Sequence, residues 1–470
     1  MIDWYADLPD IKPKYLAITQ LIRHLIQEDK LLPGQRLPAE RELAEALKVD
    51  RSTVSRALLE LASVGLVVKR TGSGTFVSSL PHLDNATNKV NWTTFLETTA
   101  SNNYQAYQGQ LLQARALDNG HLIDAAVNEL PMDLIPKLGS LQMDWQNFLL
   151  AQHQEQDAGY LPLIQTISNV HKARNQFKLT RQSLIIAGGA QQSLLLILRS
   201  LLQVGDAVAY AQPSYFNASA IFQAVGVRTY TVPLKHGKLD LGVLEDLILK
   251  HRIKLLLLNP TFQNPTGEIV SLRQRQKILT LCQQYQVPIV EDDVFGWLVN
   301  KSDEVPTFKS LAPANVIYIS SLSKLLGSST RIGWIVAPQA IGQRLLQVQK
   351  KLDIVPSMLA QVMANLALTN PSFNSEIHKL TLALAARREA VATIFHEVRP
   401  DWQFASPNGG LFFWVTQRDQ EIFNHLLAKH ILVKPGPIYG ADRQTFRFNF
   451  AVIDETKQEQ LRTQLRQLKP

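Results

Sequence analysis

Cysteine is almost absent from this chain: its 470 residues include one, Cys282. A lone thiol permits no intramolecular disulfide and no cysteine cage around a metal; no metal site is expected elsewhere either. Cys282 closes the apolar-periodic stretch Ile278-Leu279-Thr280-Leu281-Cys282, where a buried structural thiol is the expected role. A basic leader followed by an apolar run is also missing, since the chain opens Met1-Ile2-Asp3-Trp4-Tyr5, which argues against a secretory signal. Leu255 to Leu258 is intensely apolar but far too short to span a bilayer. These absences predict a soluble cytoplasmic protein with no membrane partner.

What is present points to a folded, multi-domain chain. A hydrophobic fraction of 46% supports a sizeable core, and 470 residues exceed one ordinary domain, so two or three are expected. The formal charge is +8. Residues 11–80 hold eleven Lys/Arg against seven Asp/Glu, and this short region therefore supplies +4 of the excess. A local basic surplus favours a polyanionic partner there.

That basic region reads as three helices and a hairpin. Tyr15, Ile18, Leu21, Ile22, Leu25 and Ile26 recur at helical spacing, and Leu32-Pro33-Gly34 breaks the run. A second helix follows Pro38 through Ala39 to Leu47. Asp50 is placed to cap a third, from Arg51 to about Val64, with Gly65 suited to its stop. Val54, Leu58 and Leu61 would face the core, leaving Arg51, Ser52, Thr53 and Ser55 at the exposed N-terminal end, where a recognition helix reaches base edges. Leu66-Val67-Val68-Lys69 and Thr75-Phe76-Val77 flank Arg70-Thr71-Gly72-Ser73-Gly74, a hairpin small enough to approach a phosphate backbone or minor groove. Helical triplets are common and a Gly-Ser-Gly turn alone means little; the ordered combination carries the reading.

Leu32-Pro33-Gly34-Gln35-Arg36-Leu37-Pro38-Ala39-Glu40-Arg41-Glu42-Leu43-Ala44, Asp50-Arg51-Ser52-Thr53-Val54-Ser55-Arg56-Ala57-Leu58 and Gly72-Ser73-Gly74-Thr75-Phe76-Val77 together resemble the winged-helix domain of the GntR family. The resemblance implies that residues 11–80 bind double-stranded operator DNA. Arg41, Arg51, Ser52, Thr53 and Ser55 would make the contacts, with Gly72, Ser73 and Gly74 at the wing. Two positions depart from the family: Asp50 replaces the usual Ser/Thr, and Ser55 stands where many members have arginine. Residues 81–120, with Asn and Thr clusters and a weak helical stretch near Asn91 to Thr99, read as a linker polar enough to let the head move.

From Leu184 onward, short apolar runs alternate with helical patterns. Ile185–Ala187, Ala207–Tyr210, Lys254–Leu258, Val287–Val290 and Val316–Ile319 read as buried strands of a largely parallel α/β sheet. Ligands gather at the carboxyl ends of such strands. Polar outliers fall there: Gly188-Gly189-Ala190-Gln191 opening a helix as a natural anion site, Glu291-Asp292-Asp293, and Ser320-Ser321-Leu322-Ser323-Lys324 with Arg331 seven residues on. A lone Ser-Lys or Asp pair would signify nothing, but their joint recurrence at strand ends does.

Together with Ile123-Asp124 to Pro131, Pro213-Ser214-Tyr215, Asn259-Pro260, Gln263-Asn264-Pro265-Thr266-Gly267, Pro407-Asn408-Gly409-Gly410 and Arg447, these residues resemble the fold-type-I aminotransferases over about 121–470. Such a body is a mainly parallel large domain with a smaller α+β domain. Behind a GntR head it resembles the MocR-type regulators. The resemblance implies pyridoxal 5′-phosphate as cofactor, a homodimer, and an amino acid or amine effector. Lys324 would form the imine and Asp292 would hold the pyridine nitrogen protonated. Asn264 would bond the phenolate oxygen. Ser321, Ser323, Arg331 and the turn Gly189, Ala190, Gln191 would hold the phosphate. Tyr215 would stack on the ring, core packing being its plain alternative. Arg447 would clamp a carboxylate, with an ordinary buried ion pair as the alternative.

Departures from the enzymes bear on activity. Val294 and Phe295 follow the aspartates where related sites place a tyrosine. Gln154 stands where a tyrosine usually precedes Asp-Pro-x-Gly, and Ser328 replaces a common proline. These losses favour a sensor that binds an amino compound, or the cofactor itself, over the alternative of an active aminotransferase. A DNA-binding protein that has abandoned the cofactor fits less well, because Lys324, Asp292 and Arg331 are intact.

Overall fold

The computed structural model describes residues 4–5, 7–28, 30–32, 34–70, 74–78, 102–118, 120–153, 155–174, 183–299 and 304–468. The chain divides into two units, Met1–Gln105 and Ala106–Pro470. No helix among the described residues is long and apolar enough to cross a membrane.

The first unit builds one small core from the predicted periodicities. Helices α1 (Lys14–Gln27), α2 (Glu40–Leu47) and α3 (Arg51–Ser63) precede an antiparallel hairpin, β1 (Val67–Arg70) with β2 (Gly74–Val77). Val54, Ala57, Leu58 and Leu61 form the i, i+3, i+4, i+7 stripe of α3 and are buried against Ile18, Leu21, Ile22 and Leu25 of α1. Burying each large aliphatic side chain contributes about 1.5–3 kcal/mol, which is how a unit this small holds its shape. At the start of α2, Glu42 Oε2 accepts from the Ala39 amide at 2.9 Å, an acidic first turn suited to the helix dipole. Gly65 follows α3 with φ +73°, as its stop role requires. Asp50 does occupy the N-cap position of α3, but its side chain makes no capping hydrogen bond. The expectation of a side-chain cap is therefore corrected.

Within residues 81–120 the expected helix near Asn91 to Thr99 lies outside the described residues. The helix described there is α4 (Asn102–Ala116), further along the chain. Tyr107, Leu111 and Ala114, at i, i+4 and i+7, pack against the main core of the second unit. Arg115 adds a two-pronged bond to Asp124, at 2.6 and 3.2 Å.

The second unit is organised by an eight-stranded sheet. Its strands are β4 (Leu184–Ala187), β5 (Ala207–Gln212), β6 (Arg228–Lys235), β7 (Lys238–Leu239), β8 (Leu255–Leu258), β9 (Ile289–Asp292), β10 (Val316–Ser321) and β11 (Gly333–Val336), preceded in the chain by β3 (Ile123–Asp124). The spatial order is β4-β11-β10-β9-β8-β5-β6-β7. Pairing is parallel from β10 through β6, while β11 runs antiparallel between β10 and β4, and β7 antiparallel to β6. Strands β4, β8, β9 and β10 are buried along their whole length, which is why they read as continuous apolar runs rather than alternating ones. The smaller domain carries a four-stranded antiparallel sheet. Here β12 (Gln403–Phe404), β13 (Phe412–Thr416), β15 (Lys434–Pro435) and β16 (Thr445–Asn449) lie in the order β12-β13-β16-β15. Between them in the chain, β14 (Ile431–Leu432) pairs in parallel with β3, matching Leu432 to Asp124. An aromatic cluster around Phe395, with Trp402, Phe404, Phe413 and Phe448, joins this sheet to the helix Phe373–Val398.

Candidate functional site

The carboxyl ends of β5, β8, β9 and β10 bring the polar residues together, as expected for a parallel sheet. Three consecutive acids end β9, and they diverge. Glu291 is fully buried: it sits 3.3 Å from Arg275 Nη1 and accepts from the amides of Phe308 and Lys309, each at 2.9 Å. Burial pushes its carboxyl up to about 7. Asp293 accepts from the Tyr318 hydroxyl at 2.8 Å. Asp292 turns the other way. Its Oδ2 accepts from the Tyr215 hydroxyl, while Oδ1 is buried with no hydrogen-bond partner among the described residues. Burial raises Asp292 to about 6, opposed by the Tyr215 bond and reinforced by Asp293. An acceptor left bare in the interior costs about 1–3 kcal/mol, so Oδ1 fits a donor brought by a ligand, as a protonated pyridine nitrogen would be.

Lys324 follows β10 on a short loop. Its Nζ donates to the main-chain oxygen of Asn128 at 2.7 Å and lies 5.8 Å from the centroid of the Phe295 ring. Burial first, and then the Arg447 charge, lower its pKa to about 8. Asn264 is held from both sides. Its amide donates to Asn259 Oδ1 at 2.9 Å, and its own Oδ1 accepts from Arg447 Nη1 at 3.1 Å. Arginine only donates, so the oxygen of Asn264 is committed to Arg447 and its NH2 is left to donate elsewhere. Asn259 Nδ2 also reaches the Asp292 carbonyl at 2.7 Å, tying this turn to the end of β9. Tyr215, expected as a stacking residue, contacts Asp292 directly through its hydroxyl. That bond was not legible in the spacing.

The turn after β4 is shaped by a close approach. Gly189 has φ +91°, and a Cβ on Gly333 of β11 would sit 2.9 Å from Gly189 Cα, so neither position admits a side chain easily. The hydroxyls of Ser321 and Ser323 face this turn, 3.9 and 3.8 Å from where a Gly189 Cβ would stand. Ser321 Oγ is oriented by donating to Ile332 O at 2.9 Å. Ala190 and Gln191 open the helix Ala190–Leu201, and its leading N–H groups have no intrahelical acceptor. Arg331 immediately precedes this closure, exposed and in the left-handed region at φ +47°. Two hydroxyls and the bare amides of a helix start form a cradle that fits a phosphate.

Arg447 on β16 is fully buried and has no ion-pair partner among the described residues. Its Nη2 donates to Ala126 O and Val127 O, each at 3.0 Å, and the guanidinium lies 3.9 Å from the Phe412 ring centroid. Nε is buried without a partner. The plain alternative of an ordinary buried ion pair is thus not what the geometry contains. Phe295 is buried and packs edge-on to Phe412 at 5.8 Å.

In the first unit, Arg41, Arg51 and Ser52 are exposed and Thr53 and Ser55 half-buried at the start of α3 or on α2. Arg51 Nε lies 3.5 Å and Lys69 Nζ 2.7 Å from Glu40, and these two cations hold its carboxyl below the usual range. Arg41 sits 3.7 Å from Glu45. Gly74 has φ +110° at the start of β2, whereas Gly72 and Ser73 lie outside the described residues, as does Gln154. Two residues of the second unit escaped sequence reasoning. Asn128 presents the carbonyl that holds Lys324, and Lys434 stands opposite Arg447 in the small sheet. Neither belongs to a pattern; only pairing and register reveal them.

The two units define a class: a winged helix that reads nucleic acid, in the same chain as a body of aminotransferase build. Residues 121–465 match the aminotransferase class I and II family, and residues 14–77 match the gntR family of bacterial regulatory proteins. The chain belongs to the aminotransferase class I and II family and, with its gntR head, is a MocR-type transcription regulator. It is 31% identical to the HTH-type transcriptional regulator YdfD of Bacillus subtilis, over 93% of this chain and 92% of that one. It is 28% identical to the HTH-type transcriptional regulator NorG of Staphylococcus aureus, over 88% and 95%. Among solved structures, an archaeal alanine:glyoxylate aminotransferase superposes with a TM-score of 0.72 at 23% identity, covering 81% of this chain and 99% of that one. LysN of Thermus thermophilus, an α-aminoadipate aminotransferase complexed with N-(5′-phosphopyridoxyl)-L-leucine, gives 0.64 at 23%, covering 80% and 97%. These structural likenesses define the fold.

Proposed function

We propose that this regulator holds pyridoxal 5′-phosphate at Lys324 and senses an amino compound there, passing the signal to an operator-bound winged helix. The observation that carries the reading is the buried, unpartnered Asp292 Oδ1 within the same strand-end cluster as Lys324 and the Gly189 cradle. Bound there, the cofactor supplies an aldehyde that captures amines and a ring that withdraws electrons.

The chain's own residues do the rest. Lys324, held near 8, keeps a usable fraction of neutral amine at physiological pH. Asp292, held near 6, is mainly a carboxylate there and accepts the ring N–H. Asn264 donates its free NH2 to the phenolate oxygen. Ser321, Ser323, Arg331 and the amides of Gly189, Ala190 and Gln191 take the phosphate, and Arg447 takes the effector's carboxylate. Phe295 offers no hydroxyl beside Lys324, which favours binding over rapid turnover and makes the active aminotransferase the second reading.

The protein acts in the cytoplasm as a homodimer on double-stranded operator DNA, through Arg41, Arg51, Ser52, Thr53, Ser55 and the wing Gly72 to Gly74. An apolar patch supports a subunit contact. The helix Trp145–Gln152 packs against Met358–Thr369 and leaves Trp145, Leu150 and Leu359 exposed at 69%, 62% and 58%. Effector binding favours one of two body conformations and so changes how paired heads meet DNA. The test is Lys324→Ala, purified with the cofactor: the visible absorbance of lysine-linked pyridoxal is lost while the fold is retained by circular dichroism. Unchanged absorbance in the variant refutes the assignment.

A further inference from the structure

Lys434 is a second cation beside the proposed effector clamp, and no ion pair neutralises it among the described residues. It lies on β15 directly opposite Arg447 of β16. Directly paired residues of an antiparallel ladder put their side chains on the same face, so Lys434 and Arg447 face the site together. Trp414 of β13 is Arg447's partner on the other side and shares that face, as does Tyr439, whose ring packs edge-on to Trp414 at 5.6 Å. Lys434 is partly buried and forms no ion pair among the described residues. The nearby anion, Asp124, is already engaged by both prongs of Arg115. Burial, followed by the charges of Arg447, Lys324 and Arg115, lowers Lys434 to about 7, and Asp124 opposes this only weakly.

Two adjacent cations without an ion-pair partner among the described residues, one fully buried and one partly buried, are costly unless a ligand compensates them. Arg447 accounts for one carboxylate. Lys434 remains.

We propose that Lys434 reads a second anionic group on the effector, so that this regulator responds to an amine bearing two acidic groups rather than one. The inference rests on the reading of Lys324 and Arg447 as an amino-compound site, and it names the ligand class for that site. The second group meets Lys434 while the α-carboxylate stays on Arg447. Neutral and aliphatic amino acids leave Lys434 uncompensated and bind less well. Glu129, which acts on Lys324, is exposed. Asp124 is the anion felt by Lys434 itself, and Asp292 is the other carboxylate that acts on Lys324, so these three carboxylates oppose an acidic ligand while Arg447, Lys324 and Lys434 favour it.

The test uses the full-length protein loaded with pyridoxal 5′-phosphate and follows its visible absorbance during titration. L-aspartate is compared with L-asparagine, L-glutamate with L-glutamine, and O-phospho-L-serine with L-serine; the last pair separates a phosphate from a carboxylate as the second anion. Wild type is expected to prefer the acidic member by about tenfold or more in at least one pair, as for a partly desolvated charge pair. Lys434→Met brings that ratio to near one, and Lys434→Arg restores it. The acidic-to-neutral ratio in wild type also falls as pH rises above about 7, where Lys434 loses its proton, and is flat in Lys434→Met. A wild-type ratio near one in every pair, or a ratio unchanged by Lys434→Met, overturns the inference alone. Failure of wild type to take up the cofactor through Lys324 overturns the functional reading and this inference with it.

Discussion

Replacing Arg447 with methionine should abolish effector recognition while leaving the fold nearly as stable as before. The guanidinium makes three internal bonds, to Asn264 Oδ1, Ala126 O and Val127 O; in Arg447→Met the first two acceptors lose their donor, while Val127 O keeps its bond from Asn449 Nδ2 at 3.2 Å. Each bare acceptor costs about 1–3 kcal/mol. Against that, the substitution removes a fully buried cation that has no carboxylate partner, and burying such an ion costs several kcal/mol. Methionine is unbranched and fills the space against Phe412. The opposing contributions are of similar size, so Tm should move by no more than about 4 °C. Binding has no such compensation. A desolvated carboxylate that loses its cation forfeits about 2–5 kcal/mol, or about 30-fold to several thousand-fold in affinity. The assay is absorbance titration of the cofactor-loaded variant with the amino acid that wild type binds, beside a thermal melt. Affinity within about threefold of wild type would refute the clamp; a collapse of the fold would refute the account of Arg447 as an uncompensated cation.

Further outcomes follow from the site and the head. Reaction of the apoprotein with pyridoxal 5′-phosphate should accelerate through about pH 8, because Lys324 attacks as the neutral amine and its pKa is lowered to that value. In Arg447→Met the midpoint should move upward, since one of the charges that depress Lys324 is gone; stopped-flow absorbance across pH reads both, and an unmoved midpoint counts against the coupling. In the head, Asp50→Ala should leave thermal stability within a few tenths of a kcal/mol, because there is no capping bond to lose, where a working cap would cost about 1 kcal/mol. Its operator affinity should rise as a negative charge leaves the α3 end. Arg51→Ala should weaken DNA binding and lower the salt slope by about one; an unchanged slope would remove Arg51 from the phosphate contacts.

The elements that were legible from sequence were those whose burial is periodic. Helix α3 shows one apolar stripe and strands β4, β8, β9 and β10 show uninterrupted apolar runs, so both types declare themselves without knowledge of the rest of the chain. Strand ends could also be read, because polar residues that follow such runs emerge together in a parallel sheet. Contacts across long separations could not. Lys324 meets Asn128 across 196 positions and Arg447 meets Asn264 across 183, and no local pattern encodes either. Asp50 shows the opposite failure: a good capping residue in the capping position whose side chain is left free of the helix. Lys434 is the sharper case, since a single lysine in a two-residue strand carries no signal until register sets it opposite Arg447.

Two features of the body's site point in one direction. Phe295 stands beside Lys324 without a hydroxyl, where proton movements during turnover would be tuned, while Lys434 sets a second charge beside Arg447, where the proposed effector would be selected. On the proposed reading the first would weaken catalysis without touching affinity, and the second would sharpen recognition without contributing a reacting group. A site with that pair of features is suited to a receptor. Helix α4, docked by Tyr107, Leu111 and Ala114 and pinned by Arg115 to Asp124, ends beside Lys434. Neutralising Lys434 with a ligand anion changes the field on the Arg115–Asp124 pair, so the part of the chain leading back toward the head is anchored at the point where the effector's second charge would be felt.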